Sequence, residues 1–317
     1  MGIRPYALML YDGVLYTKYR SKKKSLFLLR SCTLIKKCGV QQSIKLEAVN
    51  LIINKQNPYD VEEHIAEIYD REETTVEDVE LITELLIRHQ CRNVLEPFCG
   101  TGRILLPIAK LGVTIVGMDG AKMMLNRLEE KLDAEPESVK NNVSIIHSEL
   151  MSYSWPAGFD AVILGGNFFF EFASLEEQQK ILNKAYHSVK KGGYIFISSD
   201  SIEKELPDYW CNVGVENRAF PSGVCKDGAE LKAYSKPVYV DRTKKIWKAE
   251  RRLEVYENNK LTKEYSWEIQ KHPIGYSEII DMINMFDLEI IESWGDIKTR
   301  KPFSTGDDKA ALWLRKK

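Results

Sequence analysis

The stretch Asn93-Val94-Leu95-Glu96-Pro97-Phe98-Cys99-Gly100-Thr101-Gly102-Arg103 limits the fold more than any other part of the chain. Its apolar start reads as a buried strand at Val94–Leu95, its glycines as a tight turn, and Ile104–Lys110 as the helix after it. Gly100 and Gly102 let the backbone turn sharply and let a ligand approach it closely. A strand that passes into a helix in this way presents backbone N–H groups and one acidic side chain, Glu96, to a nucleoside-like cofactor.

The residues after this turn repeat the same grammar. Strands are expected at Thr114–Met118, Val143–His147, Asp160–Leu164 and Tyr194–Ser199, with helices at Lys122–Leu132 and Leu175–Val189 between them. Such alternation predicts an α/β fold with a mostly parallel sheet and helices on both faces. Two amphipathic helices precede it. Ile65, Ile68 and Tyr69 share a face of the first, and Val79, Ile82, Leu85 and Leu86 form the stripe of the second, with Thr75 as its expected N-cap.

After Asp200 the pattern changes. Pro207, Pro221, Gly223, Gly228 and Pro237 punctuate a stretch read as loop. Strands are then expected at Val238–Asp241, Ile246–Glu257 and Leu261–Gln270, with Asn258-Asn259 as a hairpin turn. A helix at Tyr276–Met285, with Ser277 near its cap, and strands at Leu288–Ser293 and Ala310–Arg315 close the chain. Four regions result: a basic extension at 1–57, an α/β core at 58–200, an antiparallel insertion at 201–272, and a closing helix and strands at 273–317.

Composition excludes several classes. No apolar run reaches the roughly 18 residues needed to span a bilayer, and Met1–Tyr19 has no apolar core with a small-residue cleavage site. The six cysteines contain no C-x-x-C pair, which argues against a zinc site and for a reducing, cytoplasmic setting. The net charge of −1 hides an asymmetry. Residues 1–57 hold eleven Lys/Arg and two Asp/Glu, densest at Lys18–Lys24. This segment reads as a solvated basic arm, with a nucleic-acid-binding tail as the sharper alternative.

Two more carboxylates narrow the cofactor. Asp119 ends the second strand, where a ribose diol is gripped, and Glu149 follows the third on the same edge of the sheet. A dinucleotide fingerprint needs a third glycine where Leu105 stands, and no G-K-[ST] follows to make a P-loop.

With these residues in place, the chain resembles the class I S-adenosylmethionine-dependent methyltransferases, of the type acting on small molecules. VLEPFCGTGR is similar to that family's first motif, GMDGAKMML (117–125) to its second and HSEL (147–150) to its third. FDAVILGGNFFFEF (159–172) and VKKGGYIFISS (189–199) are similar to its fourth strand and to the glycine turn before its fifth. The resemblance implies a Rossmann-like, seven-stranded, mostly parallel sheet with an inserted antiparallel β lid, and S-adenosyl-L-methionine as cofactor. It implies that Glu96 holds the cofactor's methionine part near its amino group, and that Gly100 and Gly102 pass beneath it. Asp119 would take the ribose hydroxyls and Glu149, with the backbone near Leu150, the adenine. Gly120 and Met123 are two alternatives for the residue bordering adenine. Phe98 departs from the family's usual glycine.

The acceptor is expected beyond the fourth strand, where Asn167, Phe170 and Glu171 stand, with Tyr69 on the helix that closes over the cofactor in relatives. The DNA-aminomethylating pattern and the Pro-Cys of cytosine C5 enzymes are both absent, which lowers the nucleic-acid reading. In-line methyl transfer needs alignment more than a strong base, and neither His187 nor His272 is assigned a catalytic role. The aromatic residues of 201–272 are expected either to line an acceptor pocket or to pack within their own sheet, and that region is a candidate lid or homodimer face. The leading reading is methyl transfer to an N or O atom of a small molecule. The alternatives are an RNA- or protein-directed enzyme using residues 1–57, and a non-catalytic binding protein, prompted by Phe98.

Overall fold

The computed structural model describes residues 58–317 and, before them, the backbone of three strands: β1 (Ala7–Tyr11), β2 (Val14–Arg20) and β3 (Ser25–Leu28). The chain divides into two compact units, Met1–Ala48 and Val49–Lys317. In the first, β1–β2–β3 form an antiparallel meander. Both readings of the basic segment, a solvated arm and its nucleic-acid-binding alternative, rest on side chains that lie outside the described residues.

In the second unit, α1 (His64–Glu72) and α2 (Glu77–Arg88) precede the alternating core. The core then runs through β4 (Asn93–Pro97), α3 (Leu105–Lys110), β5 (Thr114–Asp119), α4 (Lys122–Asp133), α5 (Glu137–Lys140), β6 (Val143–His147), β7 (Phe159–Leu164), α6 (Leu175–Ser188) and β8 (Val189–Asp200). The antiparallel insertion is β9 (Asn217–Val224), β10 (Glu230–Asp241), β11 (Ile246–Glu257) and β12 (Lys260–Lys271). The chain closes with α7 (Tyr276–Ile283), β13 (Leu288–Asp296), β14 (Lys301–Pro302) and β15 (Lys309–Lys316). Among the described residues no helix is long and apolar enough to cross a membrane.

The large sheet has the order β14-β13-β15-β8-β7-β4-β5-β6. The strands β6, β5, β4, β7 and β8 are parallel, and β15 runs antiparallel between β8 and β13. The short edge strand β14 is an eighth beyond the seven expected; its two residues pair with β13 at a register irregularity. Strand order reverses between β4 and β7, the position where open α/β sheets bind ligands at their carboxyl edge.

Alternation along the strands splits the core into two layers. Val94, Ala161, Ile163, Phe196, Ala311 and Trp313 face the α2–α3 side, whereas Leu95, Val162, Leu164, Ile197, Leu312 and Leu314 face α6 and α7. Burial on both faces explains why these strands read as continuous apolar runs.

The second sheet, β12-β11-β10-β9, packs one face on α1, with Ile65 and Ile68 against Leu231, Leu253, Val255 and Trp267. Its other side carries ladders such as Lys232 over Tyr256 and Arg252 over Tyr234, each 4.2 Å from cation to ring centre. Half of this sheet was not legible. Pro221 and Gly223 read as loop punctuation, yet they lie on β9, an edge strand where a missing N–H faces no neighbour. The expected strand at Val238–Asp241 is only the end of β10. Asn258 and Asn259 both adopt positive φ and make the expected hairpin turn. Thr75 does not cap α2: Val76 holds that position, and the Thr75 carbonyl instead accepts from Arg103 Nη1 at 2.7 Å. Ser277 lies near the start of α7 as expected, two residues after its cap, Gly275.

Candidate cofactor and acceptor site

The β4–α3 turn is fixed from several directions. Cys99 N–H donates to the Met118 carbonyl on β5, and Gly102 N–H to the Cys99 carbonyl. Gly102 has φ +80°, and a Cβ there would collide with Leu128 of α4, so only glycine lets α4 pack this close. Thr101 Oγ1 donates to Asp70 of α1 at 2.6 Å, and Asp70 also accepts from Arg127 and Lys131 of α4, both at 2.9 Å. One carboxylate thus ties the turn to α1 and α4.

Phe98 takes the left-handed conformation, φ +63°, that glycine usually supplies. The backbone path is kept and the side chain is put to use. Its ring stacks on Phe168 at 4.8 Å and meets Phe172 edge-on at 5.7 Å. Such contacts contribute roughly 0.5–1.5 kcal/mol each beyond burial, enough to offset a left-handed residue costing about 1–2 kcal/mol.

Above the turn lies a cavity of about 830 Å³ at the carboxyl edge of the sheet. Glu96 lines it while only 4% exposed, and its Oε2 has no hydrogen-bond partner. Burial pushes the Glu96 carboxyl well above its ordinary value, Arg103 opposes this, and the neighbouring Asp78 and Asp119 add to it. An orphaned buried carboxylate oxygen is costly unless a ligand donates to it. Asp119, at the end of β5, accepts from Gly100 N–H at 2.9 Å and Ala121 N–H at 2.8 Å. Burial raises its pKa against the lowering effect of these N–H groups. Each of its oxygens keeps a second lone pair for a ligand hydroxyl. These donors and acceptors fit an amino group and a diol at the two ends of one small cofactor.

The structure brings together Glu96, Phe98, Gly100, Asp119, Asn167, Glu171 and Tyr69 along this cavity. Gly102 lies beneath the turn rather than on the lining. The proposed adenine residues stand outside the lining. Glu149 is exposed and accepts from Met151 N–H at 3.2 Å, Leu150 is buried in the α6 layer, and the Gly120 carbonyl meets His147 Nε2 at 3.3 Å. Met123 donates its N–H to Asp60 at 2.9 Å, and its neighbour Met124 lines the cavity instead. Phe170 points into the core toward Trp210, and Phe168 and Phe172 supply the aromatic wall in its place. Tyr59 lies in the turn before α1 and packs with Tyr69 and Phe220. Burial raises the Tyr69 hydroxyl to about 12. No aromatic residue of 201–272 lines the cavity.

Arg103, Asp200 and Lys309 are among the lining residues that were not anticipated. Arg103 grips Asp78 with two bonds of 2.7 Å and so pins α2 to the turn. Asp200 ends β8, and Lys309 sits across from it on β15. Asn167, itself left-handed at φ +60°, donates to Asp200 Oδ2 at 2.8 Å and accepts from Asp200 N–H at 2.8 Å. Asp200 carried the same signal as Asp119, an acid at the end of a parallel strand. Nothing local pairs Arg103 with Asp78, 25 positions upstream.

Comparison with known proteins agrees with this geometry. A family model described as a methyltransferase domain matches residues 89–263. The chain is 30% identical over 107 residues to the cypemycin N-terminal methyltransferase of a Streptomyces species, which covers 33% of this chain and 41% of that protein. It spans less than half the length of the curated relatives it matches. Among solved structures, a S-adenosylmethionine-dependent methyltransferase from Clostridium acetobutylicum superposes with TM-score 0.59 at 12% identity, covering 79% of this chain and 96% of that one. The CcbJ methyltransferase from Streptomyces caelestis gives 0.58 at 21%, covering 81% and 97%. The sugar N-methyltransferase KedS8 from a Streptoalloteichus species gives 0.57 at 14%, covering 83% and 98%. At these identities the structural likeness speaks for the fold.

Proposed function

The chain belongs to the methyltransferase-domain family, and from that membership we propose that it moves a methyl group from S-adenosyl-L-methionine to an N or O atom of a small molecule. The enzyme is a methyltransferase and S-adenosylmethionine its cofactor. The observation that carries the reading is the buried orphan oxygen of Glu96 on the same cavity as Asp119, at the β4–β7 switch point. Glu96 would hold the cofactor's amino group, Asp119 its ribose hydroxyls, and the turn at Gly100 would pass beneath it. When bound, the cofactor supplies an activated methyl group on a sulfonium. The protein's own residues orient the acceptor and shield the site: Phe98, Phe168 and Phe172 exclude water on one side, and Asn167 fixes the loop after β7.

Residues 201–272 keep their proposed role as a lid or homodimer face. The four described cysteines are free, which supports a cytoplasmic setting. The test is calorimetry with S-adenosylmethionine and S-adenosylhomocysteine. Micromolar binding of both by the native chain, and its loss in Glu96→Ala, is the expected result; no binding of either would end the proposal.

A further inference from the structure

The cavity lining carries eight carboxylates against three cations. Most of that excess is already answered. Asp78 is gripped by Arg103, Glu77 lies 3.4 Å from Lys298 and Glu171 lies 2.7 Å from Lys271. Asp119 and Asp296 accept backbone N–H groups, the latter from Lys298 and Thr299 in its own turn. Glu96 is assigned to the cofactor. Glu73 sits on the exposed rim at the end of α1.

Asp200 is different. It is half-buried at the carboxyl edge of β8 and has no ion pair among the described residues, although Lys309 lies opposite in the β8–β15 register. Its backbone and one carboxylate oxygen are held by the reciprocal Asn167 bonds, so the carboxylate is fixed and its other oxygen has no hydrogen-bond partner among the described residues. The lining also includes Phe168 and Phe172, an apolar surface beside which an ion pair is less screened by water. An anion is repelled by a fixed carboxylate, a neutral hydroxyl offers it one hydrogen bond, and an ammonium group offers it a hydrogen bond and an opposite charge together.

We propose that the acceptor is a cationic amine and that Asp200, positioned by Asn167, selects it by binding its ammonium group beside the Phe168–Phe172 wall. This rests on the methyltransferase reading above and narrows it to nitrogen. The ammonium first loses a proton to solvent. The lone pair of the neutral amine then forms the N–C bond as the C–S bond breaks, and the C–S electron pair stays on sulfur. The cofactor leaves as a neutral thioether, and the product is an ammonium with one more methyl group, which sheds a proton in turn.

The test separates the two readings by measuring the cofactor first. Calorimetry with S-adenosylhomocysteine should give binding within about twofold for the native chain and for D200N; failure of the native chain to bind ends the cofactor reading, whatever the acceptor. With S-adenosylhomocysteine saturating, benzylamine, cyclohexylamine and glucosamine are then titrated against benzyl alcohol, cyclohexanol and glucose. At least one amine should bind about tenfold more tightly than its alcohol, that preference should fall about tenfold in D200N and return in part in D200E. It should also fade as pH rises through the pKa of the amine. Three results would overturn the proposal: no amine preferred over its alcohol, a preference unchanged in D200N, or a D200N defect seen with S-adenosylmethionine and not with S-adenosylhomocysteine, which would place the carboxylate opposite the sulfonium.

Discussion

The two ends of the cavity are built in opposite ways. The proposed cofactor end, Asp119 apart, is one local segment, Glu96–Arg103, clamped by neighbours on every side: β5 through Cys99, α1 through Asp70, α2 through Asp78 and α4 through Leu128. The proposed acceptor end gathers Asn167, Asp200, Lys309 and the Phe168–Phe172 wall from well-separated parts of the chain, with Asn167 and Asp200 tied by one side-chain bond and one to the Asp200 backbone N–H. The contrast matches the division of labour. A cofactor shared by a whole family can be served by a fixed cradle, whereas an acceptor that differs between enzymes is served by residues on loops and strand ends that change independently.

If the cradle is over-determined, breaking one clamp should cost much in stability. Arg103→Ala leaves Asp78, only 7% exposed, without its partner. Removing one member of a buried pair typically costs about 3–5 kcal/mol. The variant should therefore unfold at clearly lower urea concentration, and Asp78→Ala should add little in the double variant. A loss below about 1 kcal/mol would mean that the cradle is no stiffer than the acceptor end. The matching change at the other end, Asn167→Ala, should leave global stability nearly unchanged and act on acceptor affinity.

The second test concerns binding rather than folding. Asp119→Ala removes the acceptor of two backbone N–H groups and the proposed holder of the ribose. The unpaired N–H groups cost stability, whereas losing the hydrogen bonds from the ribose hydroxyls to a charged acceptor costs about 1.5–3 kcal/mol of binding, so affinity for S-adenosylhomocysteine should drop roughly a hundredfold. Calorimetry reads this directly. Equal affinity in the variant would move the ribose away from β5.

The same contrast explains what could be read from the sequence. Glu96, the glycines and Asp119 were legible because a strand-to-helix turn and an acid about 20 residues later leave a local pattern. Periodicity also located the parallel strands, since burial on both faces demands apolar runs. Arg103–Asp78 and Asn167–Asp200 join residues far apart in the chain, and no local rule pairs them. Phe170 was expected at the acceptor, whereas Phe168 and Phe172 line the cavity, because the turn at Phe168–Glu171 is a tight one whose three phenylalanines are all buried and only their directions tell them apart. β9 was lost because Pro221 marks a turn in most contexts and an edge strand in this one.

Phe98 sharpens the comparison at the boundary between the two ends, since its backbone belongs to the cradle and its ring to the acceptor wall. Phe98→Ala keeps the left-handed strain and loses the stack on Phe168, whereas Phe98→Gly loses the stack and removes the strain. Phe98→Gly should therefore be the more stable of the two by about 1 kcal/mol. Thermal unfolding of the pair decides it, and the reverse order would mean that the strain at this position is not what the ring contacts offset.

The smallest effect lies where α1 meets the second sheet. His64 sits between two carboxylates, with Nδ1 at 2.8 Å from Glu62 and Nε2 at 2.9 Å from Asp227 in the β9–β10 turn. Both contacts are hydrogen bonds only when the ring carries both protons. Burial works to lower the His64 pKa, but the bonds to Asp227 and Glu62 outweigh it and the net shift is upward. Glu62 is also held by Lys263 and Tyr265, and Glu67 accepts from Lys226 N–H beside it, so the carboxylates stay in place as the ring titrates. A histidine whose pKa is raised by folding adds stability that is fully present below its unfolded value of about 6.5 and is lost as pH climbs through the raised value. Relative to His64→Gln, the native chain should thus melt about 1–2 °C higher at pH 6 and lose that margin above neutrality. A margin that stays constant or grows with pH would show that α1 is held to the second sheet by its apolar face alone, as Ile65 and Ile68 already are.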